Sequence, residues 1–174
     1  MSNPRPTDPG ATAALAPAEW TTADTALWCY LFLPALIFLA GFFRPALGLP
    51  LAAIAALAAA FWLRGVAADG TGRARRSEIA TLGMLALLAA GWAALGGAGH
   101  LFHANPDWVS RFAVLRDLVV MDWPPRYGDG LGGEVVLRAP LGYYLPAALL
   151  ARGLGLSRAD LLLLLWTWLG TALF

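Results

Sequence analysis

A chain of 174 residues that is 59% hydrophobic and only 13% charged is not built as an ordinary soluble domain: soluble domains carry about a quarter charged residues, and one small core cannot hide so much apolar surface. Its basic residues are all arginine and leave a net charge of only +1, so no global basic field exists to hold nucleic acid. A single cysteine, Cys29, excludes a disulfide framework or a thiolate metal cluster within the chain and is expected to be a packing residue. The apolar residues come in long uninterrupted blocks, the pattern of a chain whose solvent is lipid.

Residues 1–25 are rich in Pro, Thr, Ala and Asp and lack the basic start and cleavage site of a signal peptide. A short disordered cytoplasmic tail is expected there. Ala26 to Phe43 and Ala46 to Leu63 are uncharged, and each is long enough to cross a bilayer at about 1.5 Å per residue. Arg44 and Pro45 separate them as a tight turn. Pro34 is tolerated inside a membrane helix because neighbouring helices can satisfy the freed carbonyl. Arg64, Arg73, Arg75 and Arg76 flank the next loop, which the positive-inside rule places in the cytoplasm.

A third span from Ile79 to about Gly99 then carries the chain out, so that His100 to Asp160 lie outside the cytoplasm and the N-terminus inside. The last apolar run, Leu161 to Phe174, is short of the about 20 residues that a span needs. The expected architecture is an all-α, multi-pass protein of the bacterial cytoplasmic (inner) membrane, with three full transmembrane helices in 26–99. An extracytoplasmic loop with interfacial helices occupies 100–160, and a partial fourth span begins at 161–174. On this reading the chain is the N-terminal part of a longer polytopic protein, inactive by itself.

Asn105, Pro106 and Asp107 form a helix-start signal, with Asn as the cap, Pro in the first turn and an acid near the positive end of the dipole. In the helix that follows, Trp108, Phe112, Leu115 and Val119 fall on one stripe flanked by Arg111 and Arg116. That is the layout of an interfacial helix lying on the membrane with snorkelling arginines. The block Ala139 to Leu150 is too short to span, and with Tyr143 and Tyr144 it is expected to be an interfacial or re-entrant helix.

The order of these features is a span, an acid just beyond its outer end, an amphipathic helix ending in Asp122-Trp123-Pro124, then Arg138 and "APLGYYLPAALLARGLGLS" leading into the next apolar run. It resembles the first external loop of the GT-C superfamily of membrane glycosyltransferases, which includes protein mannosyltransferases and aminoarabinose transferases. Those proteins show a similar "GDW.P" style turn, a "PPL.YWL.A" style block and a short "FG.S" link. The resemblance covers roughly residues 100–174. It implies a polyprenyl-phosphate-linked sugar donor and an external acceptor. It further implies Asp107 as the catalytic acid, acting as general base or metal ligand, and Arg138 and Tyr143 as substrate-binding residues. A divalent metal ion is the one cofactor it leaves open. The chain departs from the family in placing this loop after the third span rather than the first, and in having Asp107-Trp108 where an acidic pair is common.

Other readings stand beside these. Asp107 also stabilises a helix start, Arg138 also anchors an interfacial helix, and Asp117 and Asp122 are expected to be solvated loop charges. His100 and His103 are three residues apart and could share a face with Asp107 as metal ligands, but two histidines make an incomplete set. Trp92, Trp166 and Trp168 are expected in the interfacial belt or in packing. The glycine-rich loop Gly128 to Gly133 lacks the following Lys-Ser/Thr of a phosphate loop. The alternative function is that of a non-enzymatic assembly or transport component using the external loop for partner contacts.

Overall fold

The computed structural model describes residues 20–67, 76–102, 105–128 and 133–174. Helix α1 (Thr22–Phe42) starts before the expected Ala26 because Thr21 and Asp24 cap each other. The Asp24 amide donates to the Thr21 hydroxyl at 3.2 Å, and the Thr21 amide donates to the Asp24 carboxylate at 2.8 Å, the reciprocal arrangement of a capping box. Residues 20–25 therefore do not belong to a disordered tail, and the rest of that expected tail lies outside the described residues. Helix α2 (Pro45–Ala67) follows at once, since Pro45 sits in the first turn, where a missing N–H is no loss. A Cβ at Gly48 would run into the Leu39 carbonyl, so glycine lets the two helices of this hairpin touch.

Helix α3 (Arg76–Leu95) stops short of the expected Gly99. Gly97 turns the chain with φ of 92°, a left-handed conformation that glycine adopts at helix ends without steric cost. The indole of Trp108 then donates to the Gly96 carbonyl at 3.0 Å, one of the acceptors that a helix C-terminus leaves without an intrahelical partner. A 3-10 turn, Ala98–His100, leads on to helix α4 (Asp107–Val120). The residue before α4 is Pro106, and no side chain caps the helix; Asn105 contributes its carbonyl, which accepts from the Trp108 amide at 3.0 Å. The expected Asn105 side-chain cap is thus replaced by a backbone turn that Pro106 favours.

The flanks of the glycine-rich loop are strands rather than irregular chain. β1 (Arg126–Gly128) and β2 (Glu134–Val136) pair antiparallel with Tyr127 opposite Val135, a small addition to an otherwise helical fold. Helices α5 (Leu145–Leu154) and α6 (Ala159–Leu173) complete the described chain.

Three stretches are long and apolar enough to cross a membrane among the described residues: Thr22–Phe42, Pro45–Val66 and Leu156–Leu173. The chain is accordingly a multi-pass membrane protein in a lipid environment, and side chains such as Phe61, 83% exposed, need lipid around them. Helix α3 has 20 residues, and the expected third span loses only its last residues, since the helix ends at Leu95 rather than at Gly99. Conversely, the segment expected as a truncated fourth span gains length because the 3-10 turn Leu156–Arg158 leads into α6.

The helices form a row in the order α2, α1, α6, α3. Tyr30 of α1 stacks on Trp166 of α6 with ring centroids 4.0 Å apart, and the Trp168 indole donates to the Ala86 carbonyl of α3 at 2.8 Å. These two tryptophans pack within the bundle, while Trp92 is exposed on α3. At the end of the row carrying the start of α1 and the end of α2, Trp20 and Trp28 sit edge-on to Trp62, where an aromatic belt is expected. The opposite end carries α4 and the hairpin, and Gly41 near the end of α1 lies against Trp123.

The tight core is not along the row but where α4, α5 and α6 meet. Leu115, Leu118, Leu145, Ala148 and Leu163 are each at most 1% exposed. This corrects the expected placement of the α4 stripe: Trp108 and Leu115 are buried, and Phe112 packs against the same core instead of facing headgroups. An apolar stripe takes whichever apolar partner is at hand, and α5 and α6 supply a packed one.

Candidate functional site

The chain leaves β2 held to the cap by the Leu137 amide, which donates to the Pro125 carbonyl at 3.1 Å. It then descends between α1 and α6. Gly142 lies against Pro34, well inside α1, and the 3-10 turn Leu141–Tyr143 brings Tyr143 beside Thr167 of α6. Pro34 and Thr167 each stand about two helical turns inside their helices, so this turn lies roughly 12 Å below the cap end at about 1.5 Å per residue. The block from Ala139 therefore dips from the cap between α1 and α6 and turns back. Pro146 in the first turn of α5 then starts the helix back toward the cap.

The Tyr143 hydroxyl and Thr167 Oγ1 are 2.6 Å apart. Thr167 donates its own proton to the Leu163 carbonyl at 2.8 Å, which makes Tyr143 the donor between them. Tyr144 is 4% exposed and meets the Tyr143 ring edge-on at 4.9 Å between centroids.

Arg111 comes from α4, where its guanidinium lies 4.9 Å over the Trp108 ring. Asp107 stands four residues earlier on the same face of α4, exposed in the first turn and without a hydrogen bond or ion pair among the described residues. Arg138 is exposed in the link between β2 and the 3-10 turn, and no hydrogen bond or ion pair joins it to Asp107 or Tyr143. Of the three residues assigned from sequence, Tyr143 is half-buried against α6, Asp107 stands exposed at the start of α4 with no hydrogen bond or ion pair joining it to Tyr143, and Arg138 stands apart. Arg111, expected only to reach headgroups, is held over the Trp108 ring one helical turn from Asp107, and that spacing is the signal that marks it.

The remaining candidates have other partners. Asp117 is not a free loop charge: it accepts the Tyr127 hydroxyl proton and ties α4 to the hairpin. Asp122 is exposed, with an oxygen 4.0 Å from the Arg152 guanidinium. His100 turns away from Asp107; its ring stacks on Phe112 with centroids 3.9 Å apart, and Nδ1 lies 3.9 Å from Asp160. His103 and most of the glycine-rich loop lie outside the described residues, and among those described no three His, Cys, Asp or Glu side chains gather as a metal cluster. Cys29 is exposed on α1 rather than packed. No family model, curated protein or solved structure matches the chain.

Proposed function

We propose that this chain belongs to a membrane glycosyltransferase that takes a polyprenyl-phosphate-linked sugar at the extracytoplasmic face, with Asp107 as general base or metal ligand. The observation that carries the reading is the descent of Tyr143 to Thr167 beneath Arg111. A guanidinium on α4 at the cap, with a phenol held lower between α1 and α6, suits a donor whose phosphate sits at the cap and whose chain lies in the bilayer. Arginine matches a phosphate with paired N–H donors, and a phenol can donate to a phosphate or sugar oxygen. Asp107, exposed on α4 four residues before Arg111, is open to an acceptor arriving from water. Orientation of the cap toward the outside follows from the arginines that flank the loop between α2 and α3.

The test is sugar transfer by the full-length protein reconstituted with a polyprenyl-phosphate sugar. Arg111→Gln is expected to raise KM for the lipid donor more than it lowers kcat, because a phosphate clamp holds ground and transition states alike. Absence of transfer with every such donor, in protein that is folded, would remove the glycosyltransferase reading.

A further inference from the structure

A second site is built on the α1–α2 hairpin and closed by residues of the cap, and neither Asp107 nor Tyr143 lines it. An open trough of about 840 Å³ runs between these helices, floored by Ile37, Ala40 and Gly41 of α1 and by Ala52, Ala53 and Ala56 of α2. Such a volume is in the range of ligand sites, about 300–1,000 Å³. From the cap end it reaches down to Ala56, roughly 16 Å along α2 at about 1.5 Å per residue. No polar side chain interrupts it until the cap, where Asp122, Trp123 and Arg152 close it.

That closure is a charge pair in a fixed frame. The Trp123 indole donates to the Leu118 carbonyl at 2.7 Å, and Arg152 donates to the Met121 carbonyl at 2.6 Å and to Leu118 at 3.3 Å. These are carbonyls at the end of α4, which lack helical partners and favour a cation. The same arginine lies 5.3 Å over the Trp123 ring. Both carbonyl bonds use one terminal nitrogen, and the other faces Asp122 at 4.0 Å, too long for a hydrogen bond. A positive and a negative group therefore stand side by side, each with bonding capacity left, at the mouth of an apolar trough.

We propose that the trough holds one acyl chain of a zwitterionic aminophospholipid of the phosphatidylethanolamine type, with its phosphate on Arg152 and its ammonium on Asp122. The spacing of the pair suits a headgroup whose own opposite charges are a few bonds apart. A headgroup of net negative charge would satisfy Arg152 but meet Asp122 with like charge, and a choline headgroup has no N–H to give the carboxylate. The trough uses none of the residues assigned to sugar transfer, so the two readings stand or fall separately.

The experiment reconstitutes the full chain in vesicles of equal parts phosphatidylethanolamine, phosphatidylcholine and phosphatidylglycerol, extracts it in mild detergent, and quantifies retained lipid by mass spectrometry. Phosphatidylethanolamine is expected to be enriched over both others. Asp122→Asn should abolish its advantage over phosphatidylglycerol while lipid is still retained, and the exposed Asp122 can be changed without breaking a close bond. Ala53→Phe, which fills the trough from its exposed α2 wall, should lose retained lipid of every headgroup, with helicity by circular dichroism unchanged. Retention of phosphatidylglycerol at least equal to phosphatidylethanolamine would overturn the proposal. So would an unchanged preference in Asp122→Asn, or no retained lipid at all, the result expected if a further helix or a second copy of the chain occupies the trough.

Discussion

The hydroxyl of Tyr143 donates to Thr167 across 2.6 Å, tying the 3-10 turn Leu141–Tyr143 to the middle of α6. Removing either partner leaves the other less satisfied, so Tyr143→Phe and Thr167→Val are each expected to cost about 0.5–1.5 kcal/mol. Because they act through one bond, the double variant should cost less than the sum of the singles. Denaturant unfolding in detergent reads all three, and strict additivity would show that the two hydroxyls do not share a bond in solution.

The burial pattern separates residues packed on protein from residues packed on lipid. Leu115 is 1% exposed in the α4–α5–α6 core, whereas Leu87 is 75% exposed on α3. Leu115→Ala should destabilise the fold by about 2–5 kcal/mol, the range for a buried leucine truncated to leave a cavity. Leu87→Ala should change stability far less, since lipid fills the space. Equal losses at the two positions would mean that the α4 stripe meets lipid after all.

The sequence makes the helical class and the spanning blocks legible because an uncharged run has few alternatives to a membrane helix. Its errors fall where a boundary depends on one residue's partner. Thr21 and Asp24 start α1 early through mutual capping, a signal visible as Thr-x-x-Asp. Gly97 ends α3 with support from Trp108, and the indole that fills this role is itself part of a stripe whose periodicity says only that it seeks something apolar. Whether lipid or α5 provides that surface is a tertiary fact. Tyr143 was recognisable as an interfacial tyrosine, but its partner Thr167 stands 24 residues away and no local pattern connects them. The hairpin was obscured by its short strands and glycine content.

The helix row sets the end of α2 and the hairpin at opposite ends of the molecule. A Cβ at Gly65 or at Gly128 would meet nothing within 4 Å, so either position accepts a cysteine without repacking. In a Cys29→Ala background, Gly65→Cys and Gly128→Cys should react with an impermeant maleimide from opposite faces of the membrane, with Gly65→Cys on the cytoplasmic one. Labelling of both from one face would contradict the arrangement.

Tyr127 carries a pH signature. Burial, the hydrogen bond to Asp117 and that carboxylate's charge together push its phenol from 10 up to about 12. A folded-state pKa above the unfolded one favours the protonated fold, so this stabilisation is complete below about pH 10 and is lost as pH rises through about 12. Ultraviolet titration of the protein against its Tyr127→Phe variant should give a difference signal from a phenol still un-ionised near pH 11, and Asp117→Asn should bring that signal down toward 10. A Tyr127 difference signal that already ionises near 10 in the native protein would show that the Tyr127–Asp117 bond does not hold in solution.

Asp107 is the residue on which the proposed chemistry turns, and its surroundings allow a clean substitution. It is exposed in the first turn of α4, with no hydrogen bond or ion pair among the described residues to lose. Asparagine keeps its size, so Asp107→Asn removes only the interaction of the carboxylate with the helix dipole, worth less than about 1 kcal/mol. Folding should therefore survive. If the carboxylate takes a proton from the acceptor hydroxyl, transfer by the full-length protein should fall by about 10²–10⁴-fold. The loss should lie in kcat with little change in KM for the donor, the reverse of the effect expected for Arg111→Gln. A near wild-type rate in Asp107→Asn would return this acid to helix stabilisation alone. The base would then have to be sought elsewhere, since Asp117 is already committed to Tyr127.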